Sequence, residues 1–276
     1  MKIALLQTAT GADKAGNIAE LTPLIAEAAA EGATLIVLPE AASQAFDQGR
    51  LDTQAEELDG EFATAMRECA TTHGVTVVAG MFRPGDVNKV DGKTFNRVRN
   101  TALITNECIH IGYDKIHAYD AFDYRESDTV LTGDELVTFE HEGVTVGVAI
   151  CFDIRFPEQF KELASRGAQV IVVPTSWADG EGKLEQWRTL TAARALDAGV
   201  FIAAAGQARP NWETEAGTDS GPTGIGHSCV VNPVGVRIAE AGYAPETLMV
   251  EIDVDEVGKA RRALPVVEIT AQTQMR

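Results

Sequence analysis

Three side chains with the reactivity to break a bond stand in matching settings: Glu40 follows TLIVLP, Lys115 follows ECIHIGYD, and Cys151 follows VTVGVAI. A carboxylate moves protons, an ammonium balances negative charge, and a thiol attacks electron-poor carbon once its proton is gone. Each would sit at the exit of a sheet strand. In α/β folds ligands collect beyond the carboxyl ends of strands, where side chains from different strands converge, so the shared setting predicts one common site. Cys151 lies between a strand ending at Ile150 and a helix beginning near Pro157, where a helix start and a nearby ammonium would both favour its thiolate. A buried structural thiol is the competing reading, and spacing alone leaves the two open. Cys69 reads as core, because Phe62, Met66, Cys69 and His73 share one helical face, and Cys108 and Cys229 read as strand cysteines.

The elements that must position these groups alternate β-rich runs with helical stretches. KIALLQ is followed by a helical segment from about Asn17 to Glu31, then TLIVL, a helix from Gly60 to His73, and VTVVAGMF. This is an α/β rhythm. A polar, Gly-containing stretch, RPGDVNKVDGKTFNR, separates these elements from RNTALIT and ECIHIGYDK, which form a hairpin turning near Asn106, so the sheet is mixed. In the second half ELVTFE, VTVGVAIC, AQVIVVP and VFIAAAG read as strands, with helices opening at Pro157 and running from Lys183 to Ala198. Two more strands turn at Asn232–Gly235, and DVDEVGKARRA forms a short helix before the tail. The 207–226 stretch is the longest irregular one and is placed to cover a site. No linker divides the chain, and one domain over residues 1–276 is expected.

With 276 residues and 45% apolar content, a sizeable core is possible. The 41 acidic against 23 basic residues give a formal net charge of −18 without any basic block, which argues against nucleic acid and against anionic membrane as partners. An anionic small molecule would then need local positive charge in a pocket. The N-terminus turns polar too early for a signal peptide and no apolar run reaches a membrane span, so a cytoplasmic protein is expected. Four widely spaced cysteines and five scattered histidines suggest neither a disulfide framework nor a metal site, and no cofactor is expected.

The blocks LPE at 38–40, YDKIH at 113–117 and GVAICFDIRFPE at 147–158 together resemble the signature blocks of the nitrilase superfamily, built on a Glu–Lys–Cys triad. The similarity continues through RNTALIT, the RESD and TGDE segments, VIVVP and GHSCVVNPVG, and covers nearly the whole chain. The resemblance implies an α/β fold, a four-layer αββα sandwich with mixed sheets, that pairs into a homodimer or larger. It also implies that Cys151 attacks an amide carbonyl carbon, that Glu40 is the general base, and that Lys115 with the Phe152 backbone N–H holds the oxyanion. Glu126 matches a second family glutamate that positions the lysine or the substrate, with a surface loop charge as the rival. Arg155 would either present a fork to a substrate carboxylate or pair with Asp153 or Glu158. Trp177 resembles a pocket-wall aromatic, with a core aromatic as the alternative, and specificity is expected around Phe46, Tyr119, Trp177 and the 207–226 loop.

Within the superfamily the blocks look closest to the branch of ω-amidases and deaminated glutathione amidases, which implies a small linear, carboxylate-bearing amide as substrate. An N-carbamoyl amino acid amidohydrolase, an aliphatic amidase and a nitrilase are the alternatives. The GKLEQW run at 182–187 lacks the histidine of the Gly-x-x-His-Trp pattern in ω-amide branches. A catalytically idle binding protein fits poorly with three retained reactive side chains.

Overall fold

Strands with apolar residues on both faces require cover on both sides, and this chain supplies it with layers of helix. The computed structural model describes residues 1–90, 92–121, 124–210 and 221–268. The first half runs β1 (Lys2–Gln7), α1 (Lys14–Ala30), β2 (Leu35–Val37), α2 (Glu61–His73), β3 (Thr76–Val90), β4 (Lys93–Thr105), β5 (His110–Asp114), β6 (Asp120–Ala121) and β7 (Tyr124–Arg125). The second continues β8 (Thr138–His141), β9 (Val144–Val148), α3 (Pro157–Ser165), β10 (Val170–Thr175), α4 (Lys183–Ala198) and β11 (Phe201–Gly206). It closes with β12 (Cys229–Val231), β13 (Arg237–Glu240), β14 (Glu246–Glu251) and α5 (Asp255–Ala263).

Two mixed sheets form, ordered β14-β1-β2-β3-β4-β5 and β13-β12-β11-β10-β9-β8. β1, β2 and β3 are parallel, as are β9, β10 and β11, and the remaining neighbours are antiparallel. The period-2 alternation of β1 sorts its side chains: Ile3 and Leu5 enter the core shared with Val146, Val148 and Ala203 of the second sheet. Ala4 and Leu6 face the other way, onto Leu21 and Ile25 of α1 and Phe62 and Met66 of α2. Phe160 of α3 and Trp187 and Ala195 of α4 pack on the far side of the second sheet, which completes the order helix, sheet, sheet, helix.

Some expectations change. The polar run at 83–97 belongs to β3 and β4, which stay paired out to Val90 and Lys93 with a bulge between Pro84 and Val87. Pro84, Asp86, Val87, Thr94 and Asn96 are exposed, so this ribbon has water on most sides and carries no alternating apolar signal. Cys108 lies in the bend between β4 and β5 and is exposed, and His73 ends α2 facing water. Of the 207–226 loop, residues 211–220 lie outside the described residues, while its ends are joined by Gly226 N–H donating to Gln207 O at 2.8 Å.

One local feature decides where Glu40 goes. Strands β2 and β5 are separated by two others, a span of about 14 Å at normal strand spacing, so the chain leaving β2 must cross β3 to bring Glu40 toward Lys115. It does so in a turn with Ala41 at φ 59°, and a Cβ at Gly80 of β3 would stand 2.5 Å from both Pro39 O and Ala41 N. Only a residue without a side chain permits that crossing. Gly80→Ala should therefore lower Tm by roughly 2–10 °C. Gly242→Ala, with open space around its Cβ position, should change Tm by no more than about 2 °C. Equal melting of the two variants in a calorimetric scan would show that the crossing is not tight.

Candidate active site

The crossing delivers Glu40 to β4 and β5. Asn100 Nδ2 of β4 donates to Glu40 Oε1 at 2.7 Å, and Lys115, whose backbone N–H bonds Asn100 O at 2.8 Å, places Nζ 3.3 Å from the same oxygen. Glu126 follows β7 in a short 3-10 turn, and both of its carboxylate oxygens accept from Lys115 Nζ at 3.0 Å. Tyr119 N–H adds a donor to Glu126 at 2.5 Å. Glu40, Lys115 and Glu126 are 1%, 3% and 3% exposed, so these are true interior charges and each needs its partners.

Burial disfavours the charges of Lys115 and Glu40, with different outcomes. For Lys115 the carboxylates of Glu126 and Glu40 outweigh burial and hold the ammonium well above the usual lysine range. For Glu40 burial dominates over the attraction of Lys115, and the Glu126 charge adds to the rise, so its carboxyl sits above the ordinary range. The Asn100 hydrogen bond pulls it part of the way back.

From the second sheet, Cys151 and Ser176 follow β9 and β10. The Ser176 N–H donates to Glu40 Oε2 at 2.8 Å, and the Ser176 carbonyl lies 3.8 Å from Cys151 Sγ. The thiol and the Glu40 carboxylate line the same cavity, and the Glu40 charge acts on the thiol. The expectation of a favoured thiolate is corrected here. Burial and then the Glu40 charge push the Cys151 thiol well above its ordinary range, and Lys115 offsets only part of this because two carboxylates already claim it.

Cys151 takes φ 42°, an uncommon value for a side chain with a Cβ. What fixes this turn is Asp153, fully buried, whose carboxylate accepts from Tyr113 Oη at 2.6 Å, Ile150 N at 2.9 Å, His117 N at 3.1 Å and His117 Nδ1 at 2.8 Å. Tyr113 and His117 bracket Lys115 in the chain. The same carboxylate thus ties the lysine segment of one sheet to the cysteine turn of the other.

Glu40, Lys115, Glu126 and Cys151 meet in a cavity of about 330 Å³, also walled by Phe46, Tyr119, Phe152 and Trp177. Phe152 follows the thiol in the first turn of a 3-10 segment, where backbone N–H groups have no helical carbonyl behind them. Trp177 is buried and lines the cavity, so wall and core are one position. Arg155 reaches the cavity too, but it pairs with neither Asp153 nor Glu158. Its Nη2 donates to Gln186 Oε1 at 2.9 Å. The pairing with Asp153 fails because that carboxylate is occupied by its four donors. The residues that sequence reasoning missed are Asn100, Asp153, Ser176 and Gln207, the last bonding Glu40 O through Nε2 at 3.0 Å. Asn100 left no distinct signal, because it stands between the polar residues Arg99 and Thr101 where the run TALIT begins. Among the described residues, no group of three His, Cys, Asp or Glu converges as metal ligands.

The family described as carbon-nitrogen hydrolase matches residues 2–262. A protein of Mycobacterium tuberculosis H37Rv described as a hydrolase is 44% identical over 268 residues, covering 96% of this chain and 94% of its own length. The deaminated glutathione amidase of Escherichia coli O157:H7 is 35% identical over 246 residues, covering 88% of this chain and 87% of its own. A solved structure of a glutamate-to-glutamine variant of the amidase from Nesterenkonia sp. AN1, showing acrylamide added at the active-site cysteine, aligns with a TM-score of 0.74. Its identity is 26%, with 96% of this chain and 98% of that one covered.

The Asp153 anchor can be tested by stability alone. Asp153→Asn turns one acceptor oxygen into a donor facing N–H or O–H groups and should cost about 2–4 kcal/mol in urea unfolding, against about 1 kcal/mol for Tyr113→Phe. A loss below that of Tyr113→Phe would mean that the four hydrogen bonds do not hold the turn.

Proposed function

The chain belongs to the carbon-nitrogen hydrolase family, and from that premise we propose that it hydrolyses a small linear, carboxylate-bearing amide through a thioester on Cys151. The observation that carries the reading is the Glu40 carboxylate in contact with the Lys115 ammonium and lining one cavity with the Cys151 thiol. A neutral thiol beside a carboxylate of raised affinity for protons suits transfer at the moment of attack. Sulfur bonds to the amide carbon, its proton passes to Glu40, and the carbonyl oxygen becomes an oxyanion held by Lys115 and the Phe152 N–H. Loss of one such donor costs on the order of 3 kcal/mol in the transition state. The carbon–nitrogen bond then breaks as Glu40 returns the proton to the departing nitrogen, and ammonia leaves. Water, giving a proton to Glu40, attacks the thioester, and the thiol recovers that proton as the acid is released. Glu126 keeps Lys115 charged and in place.

Size and charge support the substrate class. A cavity of about 330 Å³ is at the small end for ligand sites, and Arg155 brings a cation into it. The E. coli relative, an amidase by name, points the same way. An N-carbamoyl amino acid would use the same carboxylate contact, whereas a simple aliphatic amide or nitrile would leave Arg155 unused. We further propose one domain over residues 1–276 and a cytoplasmic setting that suits four free cysteines. A homodimer or larger is the proposed assembly, because Leu196, Val234, Val236 and Ile238 expose apolar side chains where the β12–β13 turn meets α4. Light scattering at the mass of a single chain would refute that assembly.

Purified Cys151→Ala should release no ammonia from any member of a panel of amides, carbamoyl compounds and nitriles while keeping its melting profile. Wild-type turnover of nitriles alone would overturn the amidase reading. The pH profile carries a sign. Because Glu40 is raised above its ordinary value of 4.5 and must be ionised to take the thiol proton, kcat/KM should fall as pH drops through a midpoint above 4.5. Asn100→Leu removes a bond that favours the carboxylate, so the acid limb should move to higher pH. A midpoint unmoved by that change would separate Glu40 from the limb.

A further inference from the structure

Arg155 closes the 3-10 segment that begins at Cys151, and its guanidinium carbon stands 5.1 Å from the centre of the Trp177 ring and 5.9 Å from that of Phe152. Many arginines in this acidic chain meet carboxylates, as Arg83, Arg97, Arg188 and Arg237 do, while Arg261 donates to backbone carbonyls. Among the described residues Arg155 forms no ion pair, although acidic residues lie near it in sequence and along α4. Asp153 is filled by Tyr113, Ile150 and His117, and Glu185 turns to Arg188 at 3.2 Å. The acceptor that does hold Arg155 is the neutral amide oxygen of Gln186.

Gln186 acts from the same helical face that fixes the aromatic wall. Trp177 Nε1–H donates to the Lys183 carbonyl at 3.2 Å, and Lys183 and Gln186 are three residues apart in the first turn of α4, a spacing that stacks them on one side. That turn therefore sets both the plane of the indole and the guanidinium lying over it. A glutamate at 186 would satisfy the same donor geometry and cancel the charge; a glutamine satisfies it and leaves the charge standing.

We propose that Gln186 is a specificity-determining positioning residue, which holds Arg155 against Trp177 without neutralising it and so keeps the guanidinium available to a carboxylate on the substrate. The proposal rests on the reading of this site as one for carboxylate-bearing amides. Cation–π contact with the indole adds attraction without supplying a counter-charge, and an arginine has five N–H donors, of which Gln186 takes one. The remaining edge can receive two carboxylate oxygens side by side.

The test compares kcat/KM for the monoamide of a four-carbon dicarboxylic acid with that for its methyl ester, which has the same amide and no charge, in wild type, Gln186→Glu, Gln186→Leu and Arg155→Met. Gln186→Glu should lower the charged-to-neutral ratio by about tenfold, through KM rather than kcat, and Gln186→Leu by about threefold. Arg155→Met should remove most of the preference. A ratio that collapses in Arg155→Met yet stays at the wild-type value in both Gln186 variants refutes the role of Gln186 and leaves the substrate reading intact. A ratio unchanged in Arg155→Met refutes the substrate reading, and this inference with it.

Discussion

A buried ammonium between two buried carboxylates is the constraint on which the rest of the site depends. Lys115 is in contact with Glu40 and Glu126, and in a poorly solvated interior none of the three is tolerable without the others; removal of one partner typically costs about 3–5 kcal/mol. Such a cluster cannot drift. It forces the segment after β2 across β3 at Gly80, makes Asn100 of β4 the bridge, and holds the exit of β5 beneath both carboxylates. The charge pattern explains the backbone path, and the backbone path explains the glycine.

The second sheet completes what the first sheet sets up. Cys151 and the Ser176 N–H both come to Glu40 from the ends of neighbouring parallel strands, and Asp153 fastens the cysteine turn to residues on either side of Lys115. Reactive groups from opposite sheets are thereby registered through hydrogen bonds rather than through apolar packing alone, which is tolerant of small slides. The cost is a protonated thiol at rest, since the ammonium that would favour a thiolate is already balanced by carboxylates. In the proposed reaction, attack by sulfur is coupled to proton transfer onto Glu40, and that coupling distinguishes it from attack by a preformed thiolate.

Much of this was legible in the sequence, for identifiable reasons. Strands such as VIVVP and VFIAAAG announce themselves by composition, and Glu40, Lys115 and Cys151 by standing just beyond them. The convergence of these with Glu126 was legible through the joint pattern of blocks. Other parts had no local signal. The ribbon at 83–97 is stabilised by cross-strand pairing in water, including the Arg97–Asp86 ion pair at 2.6 Å, and so carries no strand signal. The partner of Arg155 lies 31 residues downstream on a helix whose approach to the cavity depends on the tertiary fold. The protonation state of Cys151 depends on burial and on the net charge of side chains from three other segments, which spacing along a chain does not carry.

Covalent attachment to sulfur is the central claim, and acid quenching during steady-state turnover of a preferred amide, followed by peptide mass mapping, addresses it most directly. An acyl group of the substrate's mass on the peptide bearing Cys151, removable by neutral hydroxylamine, is the expected result. An acyl group on any other residue, or saturated turnover with Cys151 unmodified and no hydroxylamine-sensitive adduct, would contradict it.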